Sequence, residues 1–160
     1  MYFAVSKRKL GVMSVCTFGL YQLYWFYMNW KLVREREELD ISPFGRAMFS
    51  VFFCYSLFER VKDSAAVYQT PSRYSSGWLT FAYIVLLILG SPSSPLGFLA
   101  FLSFLPLLPV QEVVNSVNAK AAPNAGPNDR FTVTNIIIII LFVAFLTSVC
   151  LWIAGLFTQQ

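Results

Sequence analysis

The chain has 160 residues, of which 57% are hydrophobic and only 12% are charged. Soluble domains carry about 25% charged residues, so this composition predicts an integral membrane protein with a single domain over residues 1–160. The formal net charge is +4 and the chain has no histidine. The missing histidine removes the commonest general base and metal ligand, and the modest, uneven positive charge does not favour nucleic-acid binding.

The first apolar stretch, residues 10–30, follows the basic residues Lys7, Arg8 and Lys9. Its length is about the 20 residues that a helix needs to cross the hydrocarbon core. No small-residue cleavage site follows, so we expect a retained anchor and no secretory signal.

An aromatic segment, TFGLYQLYWFYMNWK at residues 17–31, ends this stretch. Amphipathic rings concentrate where hydrocarbon meets headgroups, so an interfacial belt is one interpretation. The other is a surface that binds a lipid headgroup or a partner helix. The candidate residues are Tyr21, Tyr24, Trp25, Tyr27, Trp30, Lys31 and Arg34.

Residues 31–39, KLVREREEL, predict a charged helical extension after the first span. Lys31 and Glu35, and likewise Arg34 and Glu38, are spaced to pair across one helical turn. The extension is either a solvated, self-paired face or a docking site for a partner or anionic lipid. Ser42 then predicts the N-cap of a new helix that begins at Pro43.

Residues 43–61 are ambiguous, because Arg46 interrupts a segment that either spans the membrane or lies at the interface. The segment carries a stripe of mostly small residues on one helical face, which favours close helix packing. The stripe consists of Ala47, Ser50, Cys54 and Leu57.

Three further candidate spans follow, at residues 75–90, 96–114 and 131–157. The first two are joined by SPSSP at residues 91–95, a tight-turn composition, and form a hairpin that either crosses the membrane or dips in and returns. Pro106 and Pro109 predict a kink in its second arm. Residues 118–129 are a Pro, Gly and Asn-rich linker before the last span.

Three amides, Gln111, Asn115 and Asn118, recur along one helical face, with Glu112 beside them. This set predicts a polar lining for a cavity, a headgroup site or a ladder of hydrogen bonds between helices. The alternative is a helix that becomes polar as it leaves the membrane.

The distribution of Lys and Arg allows two topologies. Five spans with a cytoplasmic N-terminus and four spans with an external one both place residues 62–76 and 118–129 inside. Both place the C-terminus on the non-cytoplasmic side.

No catalytic, cofactor-binding or metal-ligating pattern is found in the sequence. There is no histidine to pair with a serine or cysteine, and no Gly-rich phosphate loop. Cys16, Cys54 and Cys150 are far apart, without the Cys-x-x-Cys spacing of zinc or redox sites, so we expect no disulfide and no zinc site.

The segment GLYQLYWFYMNWKLVRE at residues 19–35 resembles the signature of a bacterial family of small, uncharacterised multi-span membrane proteins. That signature is Gly-aliphatic-Tyr-x-x-Tyr-Trp-x-Tyr followed by a charged helix. Residues 40–44, residues 105–111, Asn115 and Asn118 continue the resemblance, whereas Gly45 stands where a bulky aromatic is expected. The resemblance implies a bacterial multi-span protein and no activity.

The sequence therefore predicts an all-α integral membrane bundle of four or five spans in the bacterial inner membrane. We expect a non-enzymatic scaffold, accessory subunit or lipid-interacting module without a cofactor. Its expected partners are the bilayer and either a second membrane protein or another copy of itself. The alternative is a small oligomeric transporter or channel that uses the amide face at residues 111–118.

Overall fold

A computed structural model describes residues 1–91, 95–123 and 128–157, excluding the side chains of residues 153 and 155–157. In these residues the chain is all-helical, as the sequence predicts, and has no strand. The helices are α1 (Lys7–Cys16), α2 (Leu20–Glu37), α3 (Pro43–Met48), α4 (Ser50–Val67), α5 (Ser76–Leu89), a 3₁₀ helix (Gly97–Leu102), α6 (Leu107–Ala121) and α7 (Val133–Phe157). Most of the predicted turn, much of the linker and the C-terminal tail, at residues 92–94, 124–127 and 158–160, lie outside the described residues.

The chain divides into two compact units, Met1–Asp129 and Arg130–Gln160. Two stretches of the described residues, Gly97–Ala121 and Val133–Trp152, are long and apolar enough to cross a membrane. Ser76–Leu89 is a shorter apolar helix. Of the four or five predicted spans, two are thus candidates by length and composition among the described residues.

Residues 10–30 do not form the single helix that their length predicts. α1 ends at Cys16, and the backbone turns at Phe18 and Gly19, whose φ angles are 52° and 88°. Glycine accepts this left-handed conformation without steric cost, which lets the chain reverse here. The backbone N–H of Phe3 consequently bonds to Asn29 Oδ1 at 3.1 Å, so α1 and α2 form a hairpin.

The core of the first unit is supplied mainly by α2, α4 and α6, whose inward side chains are fully buried. They include Trp25, Phe26, Trp30, Leu57, Phe58, Val110 and Val114. Burial of this apolar surface, at roughly 25 cal/mol per Å², is the main favourable term for packing these helices in water. Inside a bilayer the lipid is as apolar as the core, so packing contacts and hydrogen bonds have to supply the favourable free energy of helix association.

The stripe predicted at residues 47–57 is confirmed as a packing face. Ala47, Ser50, Cys54 and Leu57 are all buried, whereas Phe52 on the opposite side is 78% exposed. The stripe runs across the break between α3 and α4 at residue 49. The predicted start is also confirmed, because Ser42 Oγ accepts from the backbone N–H of Gly45 and Pro43 opens α3.

The second arm of the predicted hairpin, residues 96–114, is not one continuous helix. It begins as the 3₁₀ helix, and α6 starts only at Leu107. Pro106 is the N-cap of α6 and Pro109 lies in its first turn, where helix N–H groups have no partner within the helix. The two prolines therefore mark the beginning of α6, whereas the sequence predicts a kink within it.

The second unit contains α7, which Thr132 and Asn135 cap at its N-terminal end. Thr132 Oγ1 accepts from the backbone N–H of Asn135, and Asn135 Oδ1 accepts from the backbone N–H of Thr132. This reciprocal pair satisfies N–H groups at the start of the helix, where the first turn has no partner within the helix.

Candidate functional site

The three predicted amides of α6 converge on an extended segment, residues 2–5, that lies between α2 and α6. Asn118 pairs with the backbone of Tyr2 in both directions. The Tyr2 N–H donates to Asn118 Oδ1, and Asn118 Nδ2 donates to the Tyr2 carbonyl, each at 2.8 Å. The Asn118 side chain thus bonds to both backbone groups of Tyr2, as a neighbouring strand does in a β-sheet.

Asn115 and Gln111 continue the same pattern along α6. Asn115 Nδ2 donates to the Val5 carbonyl at 2.9 Å, and Gln111 Nε2 donates to the Phe3 carbonyl at 3.2 Å. Gln111 Nε2 also donates to Asn115 Oδ1 at 2.8 Å. We call Gln111, Asn115 and Asn118 the amide clasp, because together they hold the backbone of residues 2–5.

On the α2 side, Trp25 and Asn29 complete the binding of residues 2–5. The sequence does not assign this role to either residue. Trp25 Nε1 donates to Gln111 Oε1 at 2.5 Å. Asn29 Oδ1 accepts from the Phe3 N–H, and Asn29 Nδ2 donates to the Trp25 carbonyl at 2.9 Å. A buried amide within an aromatic helix is the only sequence signal for Asn29, and nothing local indicates that its partner is Phe3.

The fourth residue of the predicted polar set, Glu112, lies apart from the amide clasp. Its carboxylate is exposed and accepts from Lys7 Nζ at 2.7 Å, with 49% and 63% of the Lys7 and Glu112 side chains exposed. An ion pair this open contributes little to stability, about 0–1 kcal/mol.

A charged cluster lies at the end of α2 beside residue 2. Glu37 pairs with both Arg36 and Arg60. Arg36 Nη2 donates to the Tyr2 hydroxyl at 3.1 Å, and its guanidinium carbon lies 4.6 Å from the centre of the Tyr2 ring. The Tyr2 hydroxyl donates to the Arg60 carbonyl at 2.8 Å and lies at the same distance from Ser64 Oγ. The cluster borders a cleft of about 330 Å³.

The aromatic segment of α2 divides between the core and the surface. Trp25 and Trp30 are fully buried and Tyr21 is 9% exposed, so these rings pack inside the first unit. Tyr24 is 46% exposed, and Tyr27 is half-buried.

Lys31 and Arg34, the two basic candidates on α2, remain at the surface. Lys31 Nζ lies 4.0 Å from Glu35, the spacing that the sequence predicts.

Arg46, which the sequence leaves undecided, stacks on two aromatic rings. Its guanidinium carbon lies 4.4 Å from the Trp30 ring and 5.1 Å from the Phe53 ring. Cation–π contacts of this kind hold an arginine beside an apolar surface while its nitrogens stay available to water or headgroups.

Tyr74, just before α5, is tied to α4 through its hydroxyl, which donates to the Phe58 carbonyl at 2.8 Å. Burial raises the pKa of Tyr74 above its usual range, and the nearby Tyr2, Glu59 and Asp63 raise that pKa further. The phenol is therefore neutral and a hydrogen-bond donor at physiological pH.

Among the described residues, no group of three or more His, Cys, Asp or Glu side chains could hold a metal ion. Cys16, Cys54 and Cys150 are free thiols. The arrangement holds a segment of backbone through amide hydrogen bonds. Comparison with protein-family models, with curated proteins and with solved structures finds no match for this chain.

Proposed function

We propose that the protein is a non-enzymatic protein of the bacterial inner membrane that acts as a lipid-embedded accessory subunit or scaffold. The observation that carries the proposal is the contrast between its polar and apolar groups. The clasp amides are engaged inside the first unit, whereas large apolar side chains such as Leu20, Phe52 and Trp78 are 66–78% exposed. Exposed apolar surface of this extent is typical of proteins that contact lipid or another protein.

The helix α7 supports membrane residence independently of the first unit. Its stretch Val133–Trp152 is long enough to cross the hydrocarbon core and contains no charged residue. Within α7, Thr147 Oγ1 and Ser148 Oγ donate to carbonyls one turn earlier, at 2.9 Å each. These two hydroxyl groups are thus satisfied within the helix, as hydrocarbon requires.

The contacts of the amide clasp do not favour the alternative, a transporter or channel lined by residues 111–118. A polar path needs amides that can bind water or a solute in turn. Gln111 already bonds to Trp25, Phe3 and Asn115, and Asn118 bonds twice to Tyr2. Opening a path would break several buried hydrogen bonds, each costing about 1–3 kcal/mol when a partner is left unsatisfied.

We also propose which parts of the chain cross the membrane. In the four-span and five-span topologies the chain changes sides at every span; we call these alternating models. They place Arg36 and the N-terminal segment on opposite sides of the bilayer. The contact between Arg36 and Tyr2 instead favours one side for both. α7 is the crossing that we propose with the strongest support.

Native mass spectrometry of the full chain, extracted gently from its own membrane, tests the proposal. We expect retained phospholipid and one different membrane protein at fixed stoichiometry. Charge reversal of Lys31 and Arg34 tests the exposed part of α2 as the contact, with the same reversal at Lys62 on α4 as the matched control. Loss of the partner from the α2 variant alone supports the accessory role.

A flux assay in proteoliposomes separates the two functions. If the protein is a transporter, the wild type should show solute flux. Gln111→Leu should then abolish the flux while the protein stays folded. Our proposal expects no flux, and expects Gln111→Leu to lower stability because three buried contacts are lost. A homo-oligomer with solute flux would refute the accessory role, and recovery of the chain as a soluble, lipid-free protein would refute membrane residence.

A further inference from the structure

Two turns of the first unit lie against each other at one end of the helices. The Phe18 ring of the α1–α2 turn lies 5.7 Å from the Phe101 ring of the 3₁₀ helix. The end of α5 joins them, because a Cβ on Gly90 would overlap the backbone of Ala100. We call residues 17–20 and 97–105 together the apolar tip.

The apolar tip is exposed although it carries no charge. Phe18 is 57% exposed, Leu20 is 67% exposed and Phe98 is 60% exposed. The sequence has no Asp, Glu, Lys or Arg in residues 10–30 or in residues 76–111, which include the tip and the helix segments that lead to it. A surface of this kind is costly in water and favourable in hydrocarbon.

The backbone N–H groups of the first turn, residues 17–20, are hydrogen-bonded within the chain, as a hydrocarbon environment requires. The N–H groups of Thr17, Phe18, Gly19 and Leu20 donate to carbonyls of residues 13–17 at 2.8–3.1 Å. The Thr17 hydroxyl donates to the Met13 carbonyl at 2.7 Å. Turns in water commonly leave such groups to solvent, whereas lipid offers no partner for them.

The second turn shows the same internal bonding. The N–H groups of Leu99, Ser103 and Leu105 donate to carbonyls three residues earlier, at 2.8–3.2 Å. The Ser103 hydroxyl donates to the Ala100 carbonyl, and Gln22 Nε2 donates to Ser103 Oγ at 2.9 Å. These polar groups are therefore bonded within the chain, whereas Phe18, Leu20 and Phe98 of the tip are exposed.

The lengths of the helices match the thickness of one leaflet. The 10 residues of α1 rise about 15 Å, which is half of a hydrocarbon core of about 30 Å. Lys7 and Arg8 open α1 at the end away from the tip, so they reach the headgroups when the tip is at the bilayer centre. The 18 residues of α2 rise about 27 Å and carry Arg36 and Glu37 beyond the hydrocarbon into water.

We infer that Met1–Asp129 is a re-entrant module that inserts into one leaflet, with the apolar tip near the bilayer centre. Lys7 and Arg8 lie among anionic headgroups, and the charged end of α2 lies in water on the same side. The inference rests on the proposed membrane residence and adds its geometry. It differs from alternating models, in which residues 8 and 35 lie on opposite sides and the turn after α5 reaches the far side.

Cysteine accessibility in the full chain tests this geometry. The background is Cys16→Ser with Cys150→Ser, and it keeps the buried Cys54. Single cysteines are placed by Arg8→Cys and Glu35→Cys near the charged end and by Phe98→Cys in the tip. A membrane-impermeant maleimide is applied to right-side-out and to inverted membrane vesicles.

We expect the cysteines at positions 8 and 35 to react in the same preparation, and the cysteine at position 98 to react in neither. Val67→Cys is the matched control, because Val67 is an apolar side chain with 77% exposure outside the tip. It should react together with positions 8 and 35. Leu20→Cys provides a second tip position if the Phe98 variant does not fold.

A bimane label at the tip cysteine then reports its depth in vesicles of phosphatidylcholine and phosphatidylglycerol. Lipids brominated near the chain ends should quench it more strongly than lipids brominated near the headgroup. Reaction of positions 8 and 35 in opposite preparations would overturn the inference, as would reaction of position 98 in either. Failure of the chain to float with the vesicles would instead refute membrane residence itself.

Discussion

The amide clasp makes a quantitative prediction at Asn118. Asn118→Ala removes two hydrogen bonds of 2.8 Å and leaves the N–H and the carbonyl of Tyr2 without their partner. Each buried group left unsatisfied costs about 1–3 kcal/mol. Asn118 is 7% exposed, so water replaces part of what is lost. We therefore expect the free energy of unfolding to fall by about 2–3 kcal/mol in total.

The assay is equilibrium unfolding of the full chain in lipid-detergent micelles, followed by tryptophan fluorescence. Trp25 and Trp30 are fully buried in the first unit and report its opening. Ser116→Ala is the matched control on α6, because the Ser116 hydroxyl is exposed and donates to the Glu112 carbonyl of its own helix. We expect this variant to stay within about 0.5 kcal/mol of the wild type.

Asn118→Asp adds a pH readout that a general packing defect would not show. At neutral pH the carboxylate has no hydrogen to donate to the Tyr2 carbonyl, so the variant should be at least as unstable as Asn118→Ala. Acidification protonates the carboxyl and restores a donor, which should recover part of the stability. Equal stabilities for Asn118→Ala and Ser116→Ala, or no recovery in acid, would refute the clasp as the element that holds residues 2–5.

Two further predictions concern α5. The pKa of Tyr74 is raised by burial, so the folded state holds the phenol proton more tightly than the unfolded chain. Its contribution is complete below the ordinary pKa of about 10 and is lost as pH rises through the raised value, so the stability of Tyr74→Phe should decline less with rising pH than that of the wild type. Gly90→Ala should cost about 1–3 kcal/mol in thermal or chemical unfolding, because its methyl group overlaps the Ala100 backbone. Gly77→Ala has no atom within 4 Å of the new methyl group and should be neutral or stabilising by up to about 1 kcal/mol, and equal effects at the two glycines would contradict the close contact.

Features that depend on neighbours within one or two helical turns can be predicted from the sequence alone. The all-α class, the cap at Ser42 and the packing stripe from Ala47 to Leu57 follow from spacing along the chain and are found in the structure. The three amides of α6 form a recognisable set in the sequence for the same reason. A helical face is a local property, because residues three, four and seven apart always share it.

The partners of those faces depend instead on how distant parts of the chain pack together. The partners of the clasp lie 108–116 positions away, at residues 2–5, and no local pattern specifies such a pair. The turn at Phe18 and Gly19 gave no clear signal within an apolar run, so hydropathy predicted one span where the chain forms a hairpin. Hydropathy also cannot separate a ring that faces lipid from one that faces protein, because both surroundings are apolar. For this reason Trp25 and Trp30, interfacial candidates by composition, are found in the core.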